Sequence, residues 1–419
     1  MTETVELAKK TLIQNRKSGY TLPTNNKLYP AQWNWDSAFI ALGYSYFNLE
    51  YAITELETLL SGQWDDGMIP HILFHDNDES YFPNHKTWEC GKNVPSSGIT
   101  QPPIISTIIK KIVDQNDLDD NQKQRIKNII IKIKKYIEWF FNFRDTNNTG
   151  LASIIHPWES GLDNSPIWDS ALDKIKIDEN LNYERRDLKV SKIDNRPLKR
   201  DYDCYITLLN QFKKYNYDQN KIVNLSMFNV IDIGFNSILI RATKDLIQVS
   251  KKFNLDFSNL EKKIFLSEES LIKFYKEKDQ FFYSYDFKNH SLIKVDAISN
   301  YFILFANLDN KKINNNIIKK LKKYNATKDF FFTTVNPKDS SFEEKRYWRG
   351  PVWINTNWIL YEGLKEKDKD FASLLKKRTI RVLEDKKFHE YYNYKNDECL
   401  GANNFSWSAA LYLDLKLNI

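Results

Sequence analysis

The chain has 419 residues, 28% of them charged and 42% hydrophobic, and its 12 glycines and 12 prolines are typical of an ordinary globular protein. Its 61 basic and 55 acidic residues give a net charge of +6 and are intermixed along the chain. Without a concentrated basic face or a recognisable module, this composition argues against a nucleic-acid partner. The apolar stretches are too short to span a bilayer, which argues against a membrane protein.

The N-terminal stretch MTETVELAKKTLIQ lacks the apolar region of a secretory signal peptide. The three cysteines, Cys90, Cys204 and Cys399, form an odd and widely scattered set, which favours a reducing cytoplasm. A homo-oligomer stays open, because the sequence does not decide the oligomeric state.

Helical periodicity is the dominant pattern along the chain. In RIKNIIIKIKKYIEWFF (125–141) apolar residues recur every three or four positions, which predicts one apolar stripe on a helix. Similar patterns predict helices over 2–17, 35–48, 50–62, 102–116, 121–143, 202–216, 234–252, 258–277, 295–308, 311–323, 351–364, 367–384 and 406–416. The exception is QFFYSYDFKNHSLIKV (280–295), whose alternation around KNHS predicts a β-hairpin.

No Gly-, Ser- or Pro-rich linker interrupts the evenly spaced helices, so we predict one all-α domain over residues 1–419. About a dozen helices in one domain favour a closed toroid of six inner and six outer helices. A helical solenoid is the alternative that periodicity alone does not exclude, although no repeat of fixed length is visible.

Aromatic residues concentrate in segments that look irregular. Such segments include YPAQWNWDSAF (29–39), ESYFPNHKTWE (79–89), HPWESGLDNSPIWD (156–169), KRYWRGPVWINTNW (345–358) and HEYYNYKNDECLGANNFSW (389–407). A sugar ring stacks its apolar face on Trp or Tyr and offers its hydroxyls to Asp, Asn, Gln and Arg, so this mixture favours a carbohydrate site. Any single tryptophan could instead anchor its loop to the core.

The order of QWNWDSAF, DGMIPHILFH, ITQPP, HPWESGLDNSPIWD, YWRGPVWINTNW and GANNFSWSAAL resembles glycoside hydrolase family 63. The resemblance is to its short members, the mannosylglycerate and glucosylglycerate hydrolases, and it runs from about residue 29 to 410. It implies an (α/α)6 barrel and an inverting α-glycosidase of carbohydrate metabolism that degrades a compatible solute. It implies no cofactor and no metal, with a small sugar as the partner.

Inverting hydrolysis needs a carboxylic acid for the leaving oxygen and a carboxylate that activates water, roughly 6.5–9.5 Å apart. By the resemblance, the acid is Asp163 and the base is Glu390. Each has an alternative: Asp163 could cap a short helix beginning near Pro166, and Glu390 could be a solvated charge with Glu398 as the base.

The resemblance also assigns substrate-binding residues. Those implied for the sugar are Tyr29, Trp33, Trp35, Asp36, Gln101, Trp158, Glu159, Gly161, Tyr347, Trp348, Arg349 and Trp353. Asp36 and Glu159 are expected to accept hydrogen bonds from sugar hydroxyls. Trp353 has a core-packing alternative, because it falls inside a predicted helix.

A glycerate leaving group needs donors for its carboxylate. By the same resemblance these are His71, Tyr81, Arg196 and Tyr202, and Arg offers a planar fork suited to a carboxylate. Arg196 could also be a solvated loop charge. Residues 173–200 lack a firm pattern, and whether they form a loop that closes over substrate stays open.

Two metal interpretations are disfavoured. His71 and His75 lack a third ligand, and DTNNTG (145–150) lacks the glutamate that would complete a calcium loop.

The choice between mannose and glucose as the sugar stays open. Two other functions also stay open: a trehalase-like or oligosaccharide α-glucosidase, and an inactive sugar-binding protein.

Overall fold

The computed structural model describes residues 3–25, 28–76, 78–189, 195–324 and 331–418. Residue 2 of the first predicted helix and residues 190–194 of the predicted loop lie outside these ranges. Within the described ranges no helix is long and apolar enough to cross a membrane.

Helices dominate the described chain. The α-helices are α1 (Glu3–Asn15), α2 (Asn34–Ser45), α3 (Leu49–Ser61), α4 (His85–Trp88), α5 (Ile105–Gln115), α6 (Asp120–Trp139), α7 (Asp169–Leu172), α8 (Lys199–Lys214), α9 (Gln219–Leu225), α10 (Ile233–Lys251), α11 (Asn259–Ile272), α12 (Lys311–Tyr324), α13 (Ile354–Leu364), α14 (Lys369–Lys386) and α15 (Ser406–Leu417). Shorter helical segments are the π-helix Phe140–Arg144 and the 3-10 helices Pro157–Ser160, Pro166–Trp168, Asp187–Lys189, Ile298–Leu304 and Tyr347–Arg349.

Short antiparallel strands lie between the helices. They are β1 (Gln32–Trp33), β2 (Ile72–Leu73), β3 (Val230–Ile231), β4 (Tyr275–Lys276), β5 (Phe281–Phe282), β6 (Ser284–Asp286), β7 (Ser291–Ile293), β8 (Val352–Trp353), β9 (His389–Tyr392) and β10 (Cys399–Asn403). The small sheets are β1-β2, β10-β9-β8, β3-β6-β7 and β4-β5. The predicted hairpin is confirmed, since β6 pairs with β7.

Six elements contact one another in a closed order: α2, α5, α10, the 3-10 helix Ile298–Leu304, α13 and α15, which returns to α2. Each also packs against an outer helix, in the same order α3, α6, α11, α12, α14 and α1, and some inner helices contact a second outer helix as well. This is the pairing that an (α/α)6 barrel requires, and the closed order argues against a solenoid.

The sequence explains which helices lie inside. Every residue of α2 is buried, and apart from Asn34 and Asp36 in its first turn the helix carries apolar, aromatic and small residues, whereas α6 buries only the stripe that contains Ile126, Ile130, Ile133 and Ile137. Asp119 begins α6 with a capping box, in which its side chain and that of Gln122 satisfy each other's backbone amides.

Some predicted elements were wrong. The segment 295–308 forms the 3-10 helix Ile298–Leu304 rather than an α-helix, and the helix predicted over 258–277 ends at Ile272 because the chain turns there into β4. The short helices α4, α7 and α9 were not predicted, since they offer too few turns for a periodic pattern.

The inner helices begin at one end of the ring, and the polar and aromatic segments gather there. β1 leads directly into α2, β8 into α13, and the β9-β10 hairpin into α15. The aromatic residues of these connections are therefore brought together at the N-terminal ends of the inner helices.

Candidate active site

A pocket lined by aromatic and polar side chains opens at this end of the ring. Most of the residues that the sequence assigned to a site line it: Tyr29, Trp33, Trp35, Asp36, His71, Tyr81, Gln101, Trp158, Gly161, Asp163, Arg196, Tyr202, Tyr347, Trp348 and Glu390. Residues far apart in the chain meet here: Tyr29 and Glu390, which are hydrogen-bonded, are 361 positions apart.

Glu390 lies on β9 and is held at both carboxylate oxygens. Its Oε1 accepts a hydrogen bond from the Tyr29 hydroxyl at 2.7 Å, and its Oε2 accepts one from the Ala402 amide at 2.9 Å. Burial raises the pKa of Glu390 above its usual value, although Arg196 and these hydrogen bonds oppose the rise. The competing Glu398 is not in the pocket, since it pairs with Lys345 at the surface at 2.7 Å.

Asp163 lies in the turn after the 3-10 helix Pro157–Ser160. Its carboxyl has no hydrogen-bonding side-chain partner among the described residues, whereas its backbone carbonyl accepts a hydrogen bond from Tyr205. The capping alternative is wrong, because Ser165 caps the helix that begins at Pro166. Burial raises the pKa of Asp163 to about 7, with Arg196 opposing and Glu390 adding to the rise. The group can therefore carry a proton near neutral pH.

Asp36 is a third carboxyl in the pocket wall. Burial raises its pKa well above the ordinary value, and Glu390 and Asp163 add to the rise through charge repulsion. A protonated Asp36 can donate a hydrogen bond as well as accept one, which suits contact with a sugar hydroxyl.

Arg196 brings a cation to these carboxyls. Its Nη1 donates to the Tyr29 hydroxyl at 2.9 Å, and its guanidinium lies over the Tyr347 ring at 4.3 Å. The side chain is buried and ion-paired with Asp187 at 3.0 Å, so it is not a solvated loop charge. His71 also lines the pocket, and burial lowers its pKa well below the usual value, so its ring is neutral at pH 7.

Aromatic rings form much of the wall. Trp35 lies edge-on to Trp407 at 5.6 Å and tilted to Trp348 at 6.3 Å. Gly161 makes room for Trp35, because its φ of 71° favours glycine and an added Cβ would lie 2.5 Å from that indole. On another side, His71 stacks on Trp158 with ring centroids 6.1 Å apart.

Three residues that the sequence assigned to sugar contact lie behind the wall instead. Glu159 accepts hydrogen bonds from the Arg144 guanidinium at 2.8 Å and the Ile155 amide at 2.8 Å, so both of its carboxylate oxygens already have donors. Arg349 forms a fork with the Asp169 carboxylate, at 2.8 and 2.7 Å.

Trp353 is the third of these residues. It is fully buried and stacks between Trp348, at 3.5 Å, and Tyr391, at 4.6 Å. Its indole N–H donates to the Tyr347 carbonyl at 3.0 Å. The core-packing alternative is therefore the right one for Trp353, which supports Trp348 from behind.

Sequence reasoning missed four residues of the wall, namely Pro23, Pro197, Phe405 and Trp407. Phe405 and Trp407 belong to the GANNFSW segment that was already singled out, and their spacing around the start of α15 was the available signal. Pro23 and Pro197 carried no comparable signal. Among the described residues no group of three or more His, Cys, Asp or Glu is placed to hold a metal ion.

Comparisons with known proteins agree with this geometry. A family model described as a mannosylglycerate hydrolase MGH1-like glycoside hydrolase domain matches residues 29–408. The chain is 38% identical to the mannosylglycerate hydrolase of Thermus thermophilus, over 96% of this chain and 98% of that protein. It is 28% identical to the glucosylglycerate hydrolase of Mycolicibacterium hassiacum, over 92% of each chain.

A solved structure extends the similarity to the whole fold. The crystal structure of a GH63 mannosylglycerate hydrolase from Thermus thermophilus in complex with Tris and D-glycerate superposes with a TM-score of 0.94 at 36% identity, covering 98% of this chain and 99% of that one. The family resemblance and the fold class are both confirmed. The chain belongs to the mannosylglycerate hydrolase MGH1-like glycoside hydrolases, and it is a glycosidase.

Proposed function

We propose that the protein hydrolyses 2-O-α-mannosylglycerate or 2-O-α-glucosylglycerate to the sugar and glycerate, with inversion at the anomeric carbon. One observation carries the proposal: a carboxyl with a raised pKa, a doubly held carboxylate and a buried arginine line the same pocket. The relatives reported above are named as hydrolases of these two glycerate conjugates, and one of the similar solved structures contains D-glycerate.

In the proposed mechanism Asp163 is the general acid. A glyceryl oxygen is a poor leaving group and needs a proton as the glycosidic bond breaks. The absence of a hydrogen-bonding side-chain partner among the described residues leaves the Asp163 carboxyl available to the substrate, and its pKa of about 7 keeps a proton on it near neutral pH.

Glu390 is the proposed general base, which removes a proton from the attacking water. The hydrogen bonds from Tyr29 and Ala402 favour its ionised form and fix its orientation. Each carboxylate oxygen has a second lone pair, so the water can still be bound.

The leaving-group side of the pocket is proposed to recognise a carboxylate through Arg196. The Nη2 of this arginine has no hydrogen-bond partner among the described residues, and Arg196 lines the pocket. His71, Tyr81 and Tyr202 are proposed to add neutral donors around the glycerate.

The sugar is proposed to lie against the indoles and the remaining polar groups of the wall. Stacking on Trp35 and Trp348 would cover its apolar face, and hydrogen bonds to its hydroxyls would come from Asp36, Gln101 and Tyr347. Trp33, Trp158 and Gly161 complete the enclosure.

A substrate panel tests this function. The two glycerate conjugates are compared with the matching glyceryl glycosides, which differ only by lacking the carboxylate, in wild type and in Arg196→Ala. Loss of a charge-assisted fork should lower kcat/KM for the glycerate conjugates by the factor that corresponds to about 2–4 kcal/mol of transition-state stabilisation, and it should change kcat/KM for the neutral glycosides much less. Equal kcat/KM for charged and neutral substrates in wild type would contradict glycerate as the leaving group.

We also propose a cytoplasmic location, which the free thiols of Cys90, Cys204 and Cys399 support. Fractionation of the native cells checks it, with activity expected in the cytoplasmic fraction rather than outside the cell.

A further inference from the structure

An ion pair lies behind the pocket wall and holds Arg196 from the side that the substrate cannot reach. Asp187 Oδ2 accepts a hydrogen bond from Arg196 Nε at 3.0 Å, while Arg196 Nη1 reaches the Tyr29 hydroxyl at 2.9 Å. Asp187 is buried and is not part of the pocket lining. The guanidinium is therefore fixed at two nitrogens, and its third nitrogen, Nη2, has no hydrogen-bond partner among the described residues.

Asp187 is itself held by a second arginine. Arg185 forms a fork with its carboxylate, with Nε at 3.1 Å from Oδ1 and Nη2 at 2.7 Å from Oδ2. Arg185 also donates to the Pro197 carbonyl at 2.7 Å and lies over the Tyr202 ring at 4.0 Å. Burial alone would raise the pKa of Asp187, but the two guanidinium groups lower it below its ordinary value. A permanent carboxylate thus stands between two cations.

This arrangement matters because an arginine side chain has many rotamers, and its fork meets a carboxylate well only in one plane. Asp187 fixes the Nε edge, and Arg346 donates to the Arg196 backbone carbonyl at 2.9 Å. The same guanidinium donates to Tyr29, whose hydroxyl donates to Glu390. Displacing Arg196 would therefore disturb recognition of the carboxylate, whereas the Tyr29 hydroxyl can keep its own hydrogen bond to Glu390.

We propose that Asp187 is a positioning residue that, held by Arg185, orients Arg196 toward the carboxylate of the leaving group. The proposal rests on the proposed function for the identity of that carboxylate. Asp187 contacts neither substrate nor reacting atoms, and it acts through Arg196.

Asp187→Asn tests the proposal, because the amide keeps the shape of the side chain but loses its charge. KM for the glycerate conjugate should rise by at least about tenfold, and kcat/KM for the neutral glyceryl glycoside should change by less than about threefold. Inhibition by free D-glycerate should weaken in parallel. The control is Asp173→Asn, the same change at a half-exposed carboxylate that pairs with Arg200 at 2.7 Å, and it should behave as wild type.

A double variant separates positioning from general damage. In an Arg196→Ala background, Asp187→Asn should cause no further loss, because its only route to the substrate is gone. Equal losses on the charged and the neutral substrate, or additive losses in the double variant, would overturn the proposal. Should Asp187→Asn fail to fold, Arg185→Lys serves instead, since it keeps the charge but loses the fork, and the same selective rise in KM is expected.

Failure of the proposed function would look different. Wild type would then show no preference for the glycerate conjugate over the neutral glycoside. The double variant, assayed on whichever substrate is hydrolysed, would still decide whether Asp187 acts through Arg196.

Discussion

Two carboxyl groups in one pocket differ in their surroundings, and this difference supports separate roles. Asp163 has no hydrogen-bonding side-chain partner among the described residues, and its pKa is raised to about 7. Glu390 is fixed by Tyr29 and by the Ala402 amide. A carboxyl with a pKa of about 7 beside one whose ionised form accepts two hydrogen bonds is the pairing that acid and base catalysis requires.

Asp163→Asn should abolish hydrolysis of a glycerate conjugate while sparing substrates whose leaving group departs without a proton. A glycosyl fluoride or a dinitrophenyl glycoside is such a substrate. We expect a loss of at least about a hundredfold in kcat on the conjugate, the lower range for a general acid, and measurable turnover of the activated glycosides. Glu390→Gln is the matched control and should disable both. Equal losses of both substrate types in Asp163→Asn would exclude it as the acid.

Asp163→Asn should also change the stability of the folded protein in a pH-dependent way. The folded pKa of Asp163, about 7, lies above the value of an unfolded chain, about 3.9. The folded state thus binds the proton more tightly, and this group makes the protein less stable as pH rises from about 4 to about 7. Asparagine does not ionise.

Asp163→Asn should therefore melt a few degrees above wild type at pH 8, with the difference shrinking as pH falls towards 4. Thermal unfolding across this pH range measures it. A difference in Tm that stays constant with pH would mean that the Asp163 carboxyl is not the cause.

The β9-β10 hairpin positions the proposed base. The Glu390 carboxylate accepts a hydrogen bond from the Ala402 amide across the hairpin. The residue before that amide, Gly401, has a φ of 67°. A Cβ on Gly401 would lie 2.4 Å from Glu390 Oε2. The glycine is thus required both by its conformation and by the closeness of the carboxylate.

Gly401→Ala should therefore lower kcat by about tenfold or more, since small displacements of a catalytic group are costly. Gly67→Ala is the control, because Gly67 has a φ of 106° and its added Cβ would meet the Lys135 carbonyl at 2.7 Å, outside the pocket. Both variants should lose stability, but only Gly401→Ala should lose kcat. Full activity in a folded Gly401→Ala protein would show that Glu390 is not held in this way.

Long elements could be predicted from the sequence and short ones could not. Stripes such as that of α6 repeat over many turns, so periodicity places them. The strands β1 and β8 have two residues each, too few for alternation to be visible. In the site, the motifs that resemble the family predicted most of the pocket wall. No local sequence pattern, however, shows that Arg144 forms an ion pair with the Glu159 carboxylate.

The ring of helices has a second polar cluster, at the end opposite the pocket. Lys111 near the end of α5 contacts Glu362 of α13 at 3.0 Å and Asp414 of α15 at 3.3 Å. Trp358 and Tyr46 also donate to Asp414, each at 2.7 Å. This buried cluster joins three inner helices.

That residues 1–419 form one catalytic domain remains a prediction. It is supported by an apolar core cluster that runs from Val5 to Leu415.

Lys111→Met should destabilise the protein by on the order of 3 kcal/mol, because it leaves buried carboxylates without their cation. The kcat should stay near the wild-type value, since the cluster lies far from the pocket wall. Lys110→Met is the control on the same helix; Lys110 pairs with Asp114 nearer the surface, and its loss should cost less than about 1 kcal/mol. Equal free energies of unfolding for the two variants would show that the cluster does not join the helices.

The stereochemistry of the first product tests the central claim most directly. Each α-glycosyl glycerate is mixed with the enzyme in an NMR tube, and the anomeric proton of the released sugar is followed before mutarotation. Asp163 as acid and Glu390 as base, acting on opposite faces of the sugar, predict that the β-anomer forms first. Release of the α-anomer first would contradict this mechanism, since it would require a covalent intermediate on one of these carboxylates.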